Sequence, residues 1–393
     1  MAERVCGGSR GKSIRCRAAV CRRPSEPLVI EEIIVAPPMP REVRIRVIST
    51  SVCHSDILFW RIKDFAAAMF PRILGHEAVG VVESVGEDVN EVSEGDTVIP
   101  TFLAECGECR DCKSPKSNLC SKLPFKSSRT APFMPRYGTS RFTDLNGEAI
   151  YHFLSVSSFS EYTVVDIAHV TKIDSGIPLS KAAGLLGCGV STGFGAACRT
   201  ANVEPGSTVA IFGLGSVGLA VAEGARLCGA TRIIGVDVNE DKFEVGKKFG
   251  LTDFVKAANS ENKSASESII EMTDGGADYC FECVGMASLV QEAYACCRKG
   301  WGKTIVLGVD KPGSQVIISS SDILTTGKSL TGVIFGGLKP KSDIPILLNR
   351  YINKELQLDE FVTHEVTFED INKAFDLLIE GKSLRCVICM NDQ

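Results

Sequence analysis

Four cysteines with the spacing of metal ligands stand out from the rest of the chain. Cys106, Cys109, Cys112 and Cys120 follow the pattern C-x2-C-x2-C-x7-C. Zinc accepts four thiolates at the corners of a tetrahedron, and a site whose corners are all filled by protein has no position left for a substrate. The spacing therefore predicts a structural zinc site, and the chemistry of the protein must lie elsewhere.

A zinc site that performs chemistry needs three protein ligands and one open position. The chain has five histidines, and His76 lies in a Gly-His-Glu turn that enters a strand-like apolar run. The segment Cys53-His54-Ser55-Asp56 and the segment around Cys188 offer two further thiolates. These segments are the candidates for a second metal site.

A glycine-rich turn between a predicted strand and a predicted helix indicates a nucleotide site. The glycines of its G-x-G-x-x-G pattern are Gly213, Gly215 and Gly218. The first permits the turn, the second lets the backbone approach a pyrophosphate, and the third lets the helix pack on the strand. Asp237 ends the next strand, where a carboxylate accepts hydrogen bonds from a ribose and repels a 2′-phosphate. The motif predicts NAD rather than NADP, with Lys242 near the ribose.

Composition restricts the class of protein. The chain has 393 residues, 44% hydrophobic and 23% charged, with a formal charge of -5. Without a basic run, nucleic acid and anionic membranes are not expected as partners. Without an apolar run of about eighteen residues, a membrane span is not expected. The seventeen cysteines are an odd number in a long chain, which argues against a disulfide framework and favours a reducing cytoplasm.

The pattern of elements predicts two domains. The first part is rich in short strands, of which residues 28–35, 42–51 and 77–85 are the clearest. After Ser180, apolar strands alternate with helical segments, as in a parallel sheet with crossover helices. We therefore predict a first domain over residues 1–190 with a zinc lobe near 100–125. A nucleotide domain is predicted over 191–331, and residues 332–393 are expected to rejoin the first domain.

Taken in order, these segments resemble the zinc-dependent medium-chain alcohol dehydrogenases, and the plant alcohol-dehydrogenase-like branch in particular. The likeness runs from Ile14 to Cys389 through the CHSD, GHE, four-cysteine, CGVSTG, GLGSVG and SLRC segments. It implies an α/β protein with a GroES-like β-rich catalytic domain and a Rossmann domain with a doubly wound parallel sheet. It also implies a homodimer formed through the nucleotide domain.

The resemblance implies a ligand set for a catalytic zinc. Cys53, His76 and Cys188 are expected to hold the ion, with Glu77 behind it as an occasional ligand. Asp56 is expected to hydrogen-bond the zinc-binding imidazole. Together with the four-cysteine site, this implies two Zn²⁺ per chain.

The resemblance also implies a mechanism and its cofactor contacts. Zinc activates an alcohol, Ser55 accepts the proton, and hydride passes to the nicotinamide of NAD; the reverse reaction reduces an aldehyde or ketone. Thr192 and Arg385 match contacts to the nicotinamide end and the pyrophosphate. Leu58 replaces a histidine that ends a proton relay in many ethanol-active relatives. His54 replaces an arginine, which predicts a weaker or pH-sensitive grip on the cofactor.

An apolar substrate pocket is the last expectation from the resemblance. Its lining would be Phe59, Phe65, Phe102, Phe153, Leu154, Val309 and Ile334. Such a pocket favours an apolar alcohol or carbonyl compound, as in plant specialised metabolism. Two alternatives stay open: a hydroxynitrile lyase on the same scaffold, and a non-catalytic protein that has kept the fold.

Overall fold

The computed structural model describes residues 11–62, 69–125, 136–174, 181–257, 263–311 and 313–390. The chain divides into one compact unit made of Met1–Cys188 and Lys339–Gln393, and a second made of Gly189–Leu338. The second boundary lies later than the expected 331/332. A Cβ on Gly336 would overlap the carbonyl oxygen of Thr192, so this segment packs backbone to backbone within the second unit.

The elements are numbered in chain order. The strands are β1 (Ile14–Cys21), β2 (Val29–Val35), β3 (Glu42–Ser51), β4 (Arg72–Ile73), β5 (Glu77–Val85), β6 (Thr97–Pro100), β7 (Phe142–Thr143), β8 (Ala149–Ile150), β9 (Tyr162–Asp166), β10 (Val170–Lys172), β11 (Thr208–Phe212), β12 (Arg232–Asp237), β13 (Asp253–Lys256), β14 (Tyr279–Glu282), β15 (Lys303–Val306), β16 (Ser329–Gly332), β17 (Val362–Thr367) and β18 (Arg385–Cys389). The α-helices are α1 (His54–Arg61), α2 (Arg110–Lys113), α3 (Gly189–Gly195), α4 (Ser216–Leu227), α5 (Asp241–Lys248), α6 (Ala265–Met272), α7 (Ala287–Ala295), α8 (Ser320–Thr326), α9 (Pro340–Ile352) and α10 (Ile371–Ile379).

The first unit is built from two sheets. One has the strand order β4-β1-β2-β7-β8, and the other has the order β10-β6-β5-β3-β18-β17, with β9 also pairing with β3. Strand β18 pairs antiparallel with β3, so that Val387 lies opposite Ser51. The C-terminal tail thus supplies a strand beside the residues that lead into Cys53.

The second unit contains a parallel sheet in the order β13-β12-β11-β14-β15-β16. Its central strand β11 is apolar and buried, as expected for a strand covered on both faces. The strand order reverses between β11 and β14, and ligands of such sheets bind at this switch point, beyond the carboxyl ends of the strands. The predicted Rossmann arrangement of this unit is confirmed.

Two further features concern the predicted compartment and membrane behaviour. Within the described residues, no cysteine forms a disulfide bond, and Cys6 lies outside them. None of the helices described here has both the length and the apolar character needed to cross a membrane.

Candidate metal and cofactor sites

Asp56 joins the two segments that were expected to supply zinc ligands. Cys53 lies at the N-cap of α1, two residues after the end of β3, and its backbone N–H donates to Oδ2 of Asp56 at 2.8 Å. Oδ1 of Asp56 accepts from the backbone N–H of Gly75 at 2.9 Å and lies 3.2 Å from Nδ1 of His76. Gly75 has a φ of 91°, which a residue with a Cβ rarely adopts. The Asp56 carboxylate is fully buried, so it fixes Cys53 and His76 relative to each other.

Close backbone packing brings Cys188 to the same place. The 3-10 helix Lys181–Gly187 runs against the start of β5. A Cβ on Gly187 would lie 3.3 Å from the carbonyl oxygen of Pro100 and 3.4 Å from that of His76. A side chain at Gly187 would press against these carbonyl groups and push the segment away from β5. Glycine allows the close approach, so that Cys188, the next residue, lies within the cluster.

The resulting cluster fits a zinc ion. One ligand atom from each of Cys53, His76, Glu77 and Cys188 lies within 4.8 Å of the others. In a tetrahedral site with Zn–S bonds near 2.3 Å, ligand atoms are about 3.8 Å apart. Nε2 of His76 is buried and has no hydrogen-bond partner among the described residues, an arrangement that is costly unless the atom binds something else. Since Nδ1 faces Asp56, Nε2 is the nitrogen left for a metal.

The charges in the cluster suit a dication. A hydrogen bond with Cys188 and the nearby Arg385 guanidinium hold the pKa of Cys53 well below its usual range. The same hydrogen bond and burial raise the pKa of Cys188. Burial opposes a charge on His76, but the Asp56 carboxylate and the Cys53 sulfur together outweigh it and raise the pKa of His76. Cys53, His76 and Glu77 are buried.

Sequence reasoning missed a buried ion pair behind the cluster. Nε and Nη2 of Arg385 donate to the two carboxylate oxygens of Glu77 at 2.8 and 3.0 Å, and Nη2 lies 3.5 Å from Sγ of Cys53. The Ser51 hydroxyl donates to the same carboxylate at 2.5 Å. As a zinc ligand, Glu77 would have to exchange one of these partners for the metal. The contact of Arg385 with a pyrophosphate stays a prediction.

Aromatic rings surround the histidine of the cluster. The Phe153 and Phe102 rings lie 5.8 and 6.1 Å from the imidazole of His76, both edge-on. Phe59 packs against Phe153 at 5.2 Å. Phe125, which sequence reasoning did not select, packs against Phe102 at 5.6 Å. Three of the predicted pocket residues therefore form one apolar wall near the metal cluster.

The other predicted pocket residues fall elsewhere. Leu154 is buried and follows Phe153 directly. Val309 and Ile334 are exposed residues of the second unit. Phe65 lies outside the described residues. Their contact with a substrate stays a prediction.

The four-cysteine segment folds into a compact lobe that also fits zinc. One sulfur from each of Cys106, Cys109, Cys112 and Cys120 lies within 4.8 Å of the others, and the Sγ atoms of Cys106 and Cys112 are 3.9 Å apart. Backbone N–H groups donate to the sulfurs of Cys106, Cys109 and Cys120 at 3.3 to 3.4 Å. Such donors favour the thiolate form. The Ser121 side chain and the Cys112 backbone lower the pKa of Cys109 to about 5.

The segment that returns to the first unit holds this lobe in place. Nζ of Lys339 donates to the carbonyl oxygens of Cys112 and Ser114 at 2.5 and 2.8 Å. Glu105 accepts from the backbone N–H of Lys341 at 2.8 Å, at the start of α9. No sequence pattern links these residues, because Lys339 follows Cys112 by 227 positions.

The turn after β11 has the geometry of a phosphate-binding loop. Gly213 has a φ of 93°, and a Cβ on Gly218 would overlap the carbonyl oxygen of Gly213, so both positions require glycine. A Cβ on Gly215, the N-cap of α4, would meet no protein atom within 4 Å. The space beside Gly215 is therefore available to a ligand, at the helix terminus that favours phosphate.

The remaining predicted cofactor residues belong to both units. The Asp237 carboxylate is held at the end of β12 by the backbone N–H groups of Leu214 and Asn239, at 2.8 and 2.9 Å. Lys242 is partly buried, and burial lowers its pKa. Thr192 is buried in α3 of the second unit, and His54 is an exposed residue of the first unit. Their contacts with NAD stay predictions.

A chain that combines a β-rich unit carrying a two-cysteine, one-histidine cluster with a Rossmann unit has the features of a metal-dependent dehydrogenase. Family models agree: the alcohol dehydrogenase GroES-like domain matches residues 39–175, and the zinc-binding dehydrogenase domain matches residues 216–353. The chain is 69% identical over 380 residues to alcohol dehydrogenase-like 7 of Arabidopsis thaliana, covering 96% of both chains. It is 49% identical to alcohol dehydrogenase class-3 of Pisum sativum, covering 98% of this chain and all of the other.

A comparison with a solved structure points to the same family. Benzyl alcohol dehydrogenase from Acinetobacter calcoaceticus superposes with a TM-score of 0.84 at 28% identity, covering 96% of this chain and all of the other. The chain belongs to the zinc-dependent medium-chain alcohol dehydrogenase family, as its motifs predicted. The predicted fold, a GroES-like domain with a Rossmann domain, is confirmed. The relatives described here are dehydrogenases by name, which gives the lyase alternative no support.

Proposed function

We propose that the protein is a zinc- and NAD(H)-dependent alcohol dehydrogenase that oxidises apolar alcohols and, in reverse, reduces the matching aldehydes or ketones. Membership of the alcohol dehydrogenase family supports the reaction type. The observation that carries the proposal is the cluster of Cys53, His76 and Cys188, in which Nε2 of His76 lacks a partner among the described residues. The plant relatives support a role in plant metabolism.

Apolar surroundings of the cluster support the substrate class. Phe59, Phe102 and Phe153 place aromatic rings near His76, and such rings exclude water and favour apolar ligands. The structural neighbour named for benzyl alcohol is consistent with this preference. A non-catalytic role is disfavoured because both the ligand cluster and the phosphate-binding turn are intact.

Different residues of the chain would bind the metal, orient its ligands and accept the proton. When bound, zinc supplies a Lewis acid for the substrate oxygen and NAD supplies the hydride acceptor. Cys53, His76 and Cys188 would hold the metal, and Asp56 keeps the His76 ring in one orientation. Ser55, next to a ligand segment and partly buried, would accept the proton of the alcohol.

A substrate screen tests the proposal. Zinc-loaded protein is mixed with aliphatic, terpenoid and aromatic aldehydes together with NADH or NADPH, and cofactor absorbance is followed. We expect NADH oxidation with apolar aldehydes and a clear preference over NADPH, because Asp237 repels a 2′-phosphate. Inactivity across the whole panel, or a preference for NADPH, would contradict the proposal.

Replacing Ser55 with alanine is expected to lower kcat by about 10²-fold, because general acid–base groups contribute at least this much. Zinc content and melting temperature should stay unchanged, since Ser55 is not part of the metal cluster. Steady-state rates with a saturating aldehyde measure the effect. The matched variant Ser55→Thr keeps a hydroxyl and should retain most of the activity; equal losses in both variants would argue against a proton-transfer role.

We also propose that the second unit forms a homodimer through its exposed sheet edge. Strand β16 ends the parallel sheet, and all four of its residues are exposed. Leu324 in α8 and Ile317 are 83% and 75% exposed. An unpaired strand edge beside apolar surface is typical of a covered interface.

Leu324→Glu is expected to convert the dimer to a monomer, because a buried carboxylate in an apolar interface is strongly unfavourable. Sedimentation velocity at micromolar concentration measures the mass. Ile270→Glu is the matched control: Ile270 is 38% exposed and lies in α6, which packs on β13 at the opposite edge of the sheet. A monomeric wild-type protein, or dissociation by both variants, would contradict the proposed interface.

A further inference from the structure

Two cysteines of the second unit lie side by side outside every site described above. Cys198 belongs to the π-helical segment Ala196–Ala201 that follows α3, and Cys228 is the C-cap of α4. Sγ of Cys228 donates to Sγ of Cys198 at 3.2 Å, and Sγ of Cys198 donates to the carbonyl oxygen of Gly224 at 3.5 Å. Both side chains are partly exposed, so small solutes can reach them.

Helix packing holds these two sulfurs together. A Cβ on Gly224 would lie 3.0 Å from Cβ of Ala197 and 3.1 Å from the carbonyl oxygen of Phe194. The two helical segments therefore approach each other almost backbone to backbone. Because both cysteines belong to one compact unit, their proximity does not depend on the arrangement of the two units.

We propose that Cys198 and Cys228 form a reversible thiol–disulfide site that is oxidised by a hydroperoxide. A disulfide bond is about 2.05 Å long, so the sulfurs need to approach by about 1.2 Å from their present 3.2 Å. Once Cys198 loses the proton that it donates to the carbonyl oxygen of Gly224, the hydrogen bond from the Cys228 thiol stabilises its thiolate, so Cys198 is the expected nucleophile.

The oxidation proceeds in two balanced steps. The Cys198 thiolate attacks one oxygen of the hydroperoxide, the O–O bond breaks, and an alcohol, or water in the case of hydrogen peroxide, leaves with a proton. Sulfur of Cys228 then attacks the sulfenic acid, the S–S bond forms, and water leaves. Two thiols and one hydroperoxide thus give one disulfide, one alcohol or water, and one further water.

A disulfide here would tie the end of α4 to the segment that follows α3. The two residues are 30 positions apart, and closing a loop of this size reduces the entropy of the unfolded chain. The melting temperature of the protein should therefore rise by roughly 5 °C on oxidation and return on reduction with dithiothreitol.

The test uses full-length, zinc-loaded protein treated with increasing hydrogen peroxide, then alkylated, digested and mapped by mass spectrometry. We expect a peptide pair that joins Cys198 to Cys228, lighter by two hydrogens than the reduced pair and separated again by dithiothreitol. Cys198→Ser and Cys228→Ser should lose both the cross-link and the rise in melting temperature. Cys283→Ser removes another partly exposed thiol of the same unit and should retain both.

Other outcomes would overturn the inference. One is independent oxidation of Cys198 and Cys228 to sulfinic acids without a cross-link. Another is release of zinc and oxidation of the metal-cluster cysteines while Cys198 and Cys228 remain open to alkylation. Peptide mapping of the wild-type protein decides between these results even if a serine variant fails to fold.

Discussion

Replacing Cys53 with alanine is expected to remove one zinc per chain and to lower kcat/KM by at least about 10³-fold. The sulfur of Cys53 is one of the clustered ligand atoms, and it also accepts a hydrogen bond from the Arg385 guanidinium. A catalytic zinc contributes several kcal/mol to the stabilisation of charge in the transition state, and each 1.4 kcal/mol corresponds to a factor of ten in rate. Metal analysis by mass spectrometry and initial rates with an apolar aldehyde measure the two losses.

Cys16→Ala is the matched control for this variant. Cys16 is also a buried cysteine of the first unit, in β1, and burial raises its pKa to about 11, so it stays a neutral thiol. This variant should keep both the zinc content and the activity of the wild type. Normal activity of Cys53→Ala with a full complement of zinc would reject the cluster as the catalytic site.

Cys109→Ala is expected to lower the stability of the protein strongly while sparing the catalytic cluster. The alanine removes one of four sulfurs from the lobe, and the free energy of binding a structural zinc contributes directly to folding. A loss on the order of 5 kcal/mol would lower the melting temperature by about 10 °C or more. Differential scanning calorimetry measures this change, and metal analysis of the remaining folded protein should find one zinc with activity retained.

The separation of the two clusters makes this outcome specific. The lobe packs with Ala104 and Ala168 in a small hydrophobic cluster of its own, apart from the core that surrounds Phe153. Cys16→Ala again serves as the control, because it removes a thiol that is not among the ligands. Loss of both metals from folded Cys109→Ala protein, or an unchanged melting temperature, would contradict the division into a structural and a catalytic site.

Regular patterns in the chain were sufficient to predict several elements accurately. Strands β3 and β5 begin and end at the predicted residues, 42–51 and 77–85. Strand β2 differs by one residue, since it begins at Val29 rather than at the predicted 28. The backbone N–H and carbonyl of Leu28 instead pair with the side-chain amide of Asn372, at 2.9 and 3.0 Å.

Family membership, the two-part fold, the four-cysteine cluster and the glycine-rich turn were predictable from the sequence, because each depends on residues close together in the chain. Periodicity, turn glycines and ligand spacing are local properties of the chain. They can be recognised without knowing which strands pair in the sheets. Contacts between distant segments could not be predicted and became visible only in the folded chain. Arg385 lies 308 positions from Glu77, and it reaches the metal cluster because β18 pairs with β3. Such pairings follow from which strand edges and helix faces are buried together, and this long-range packing leaves no repeating pattern in the sequence.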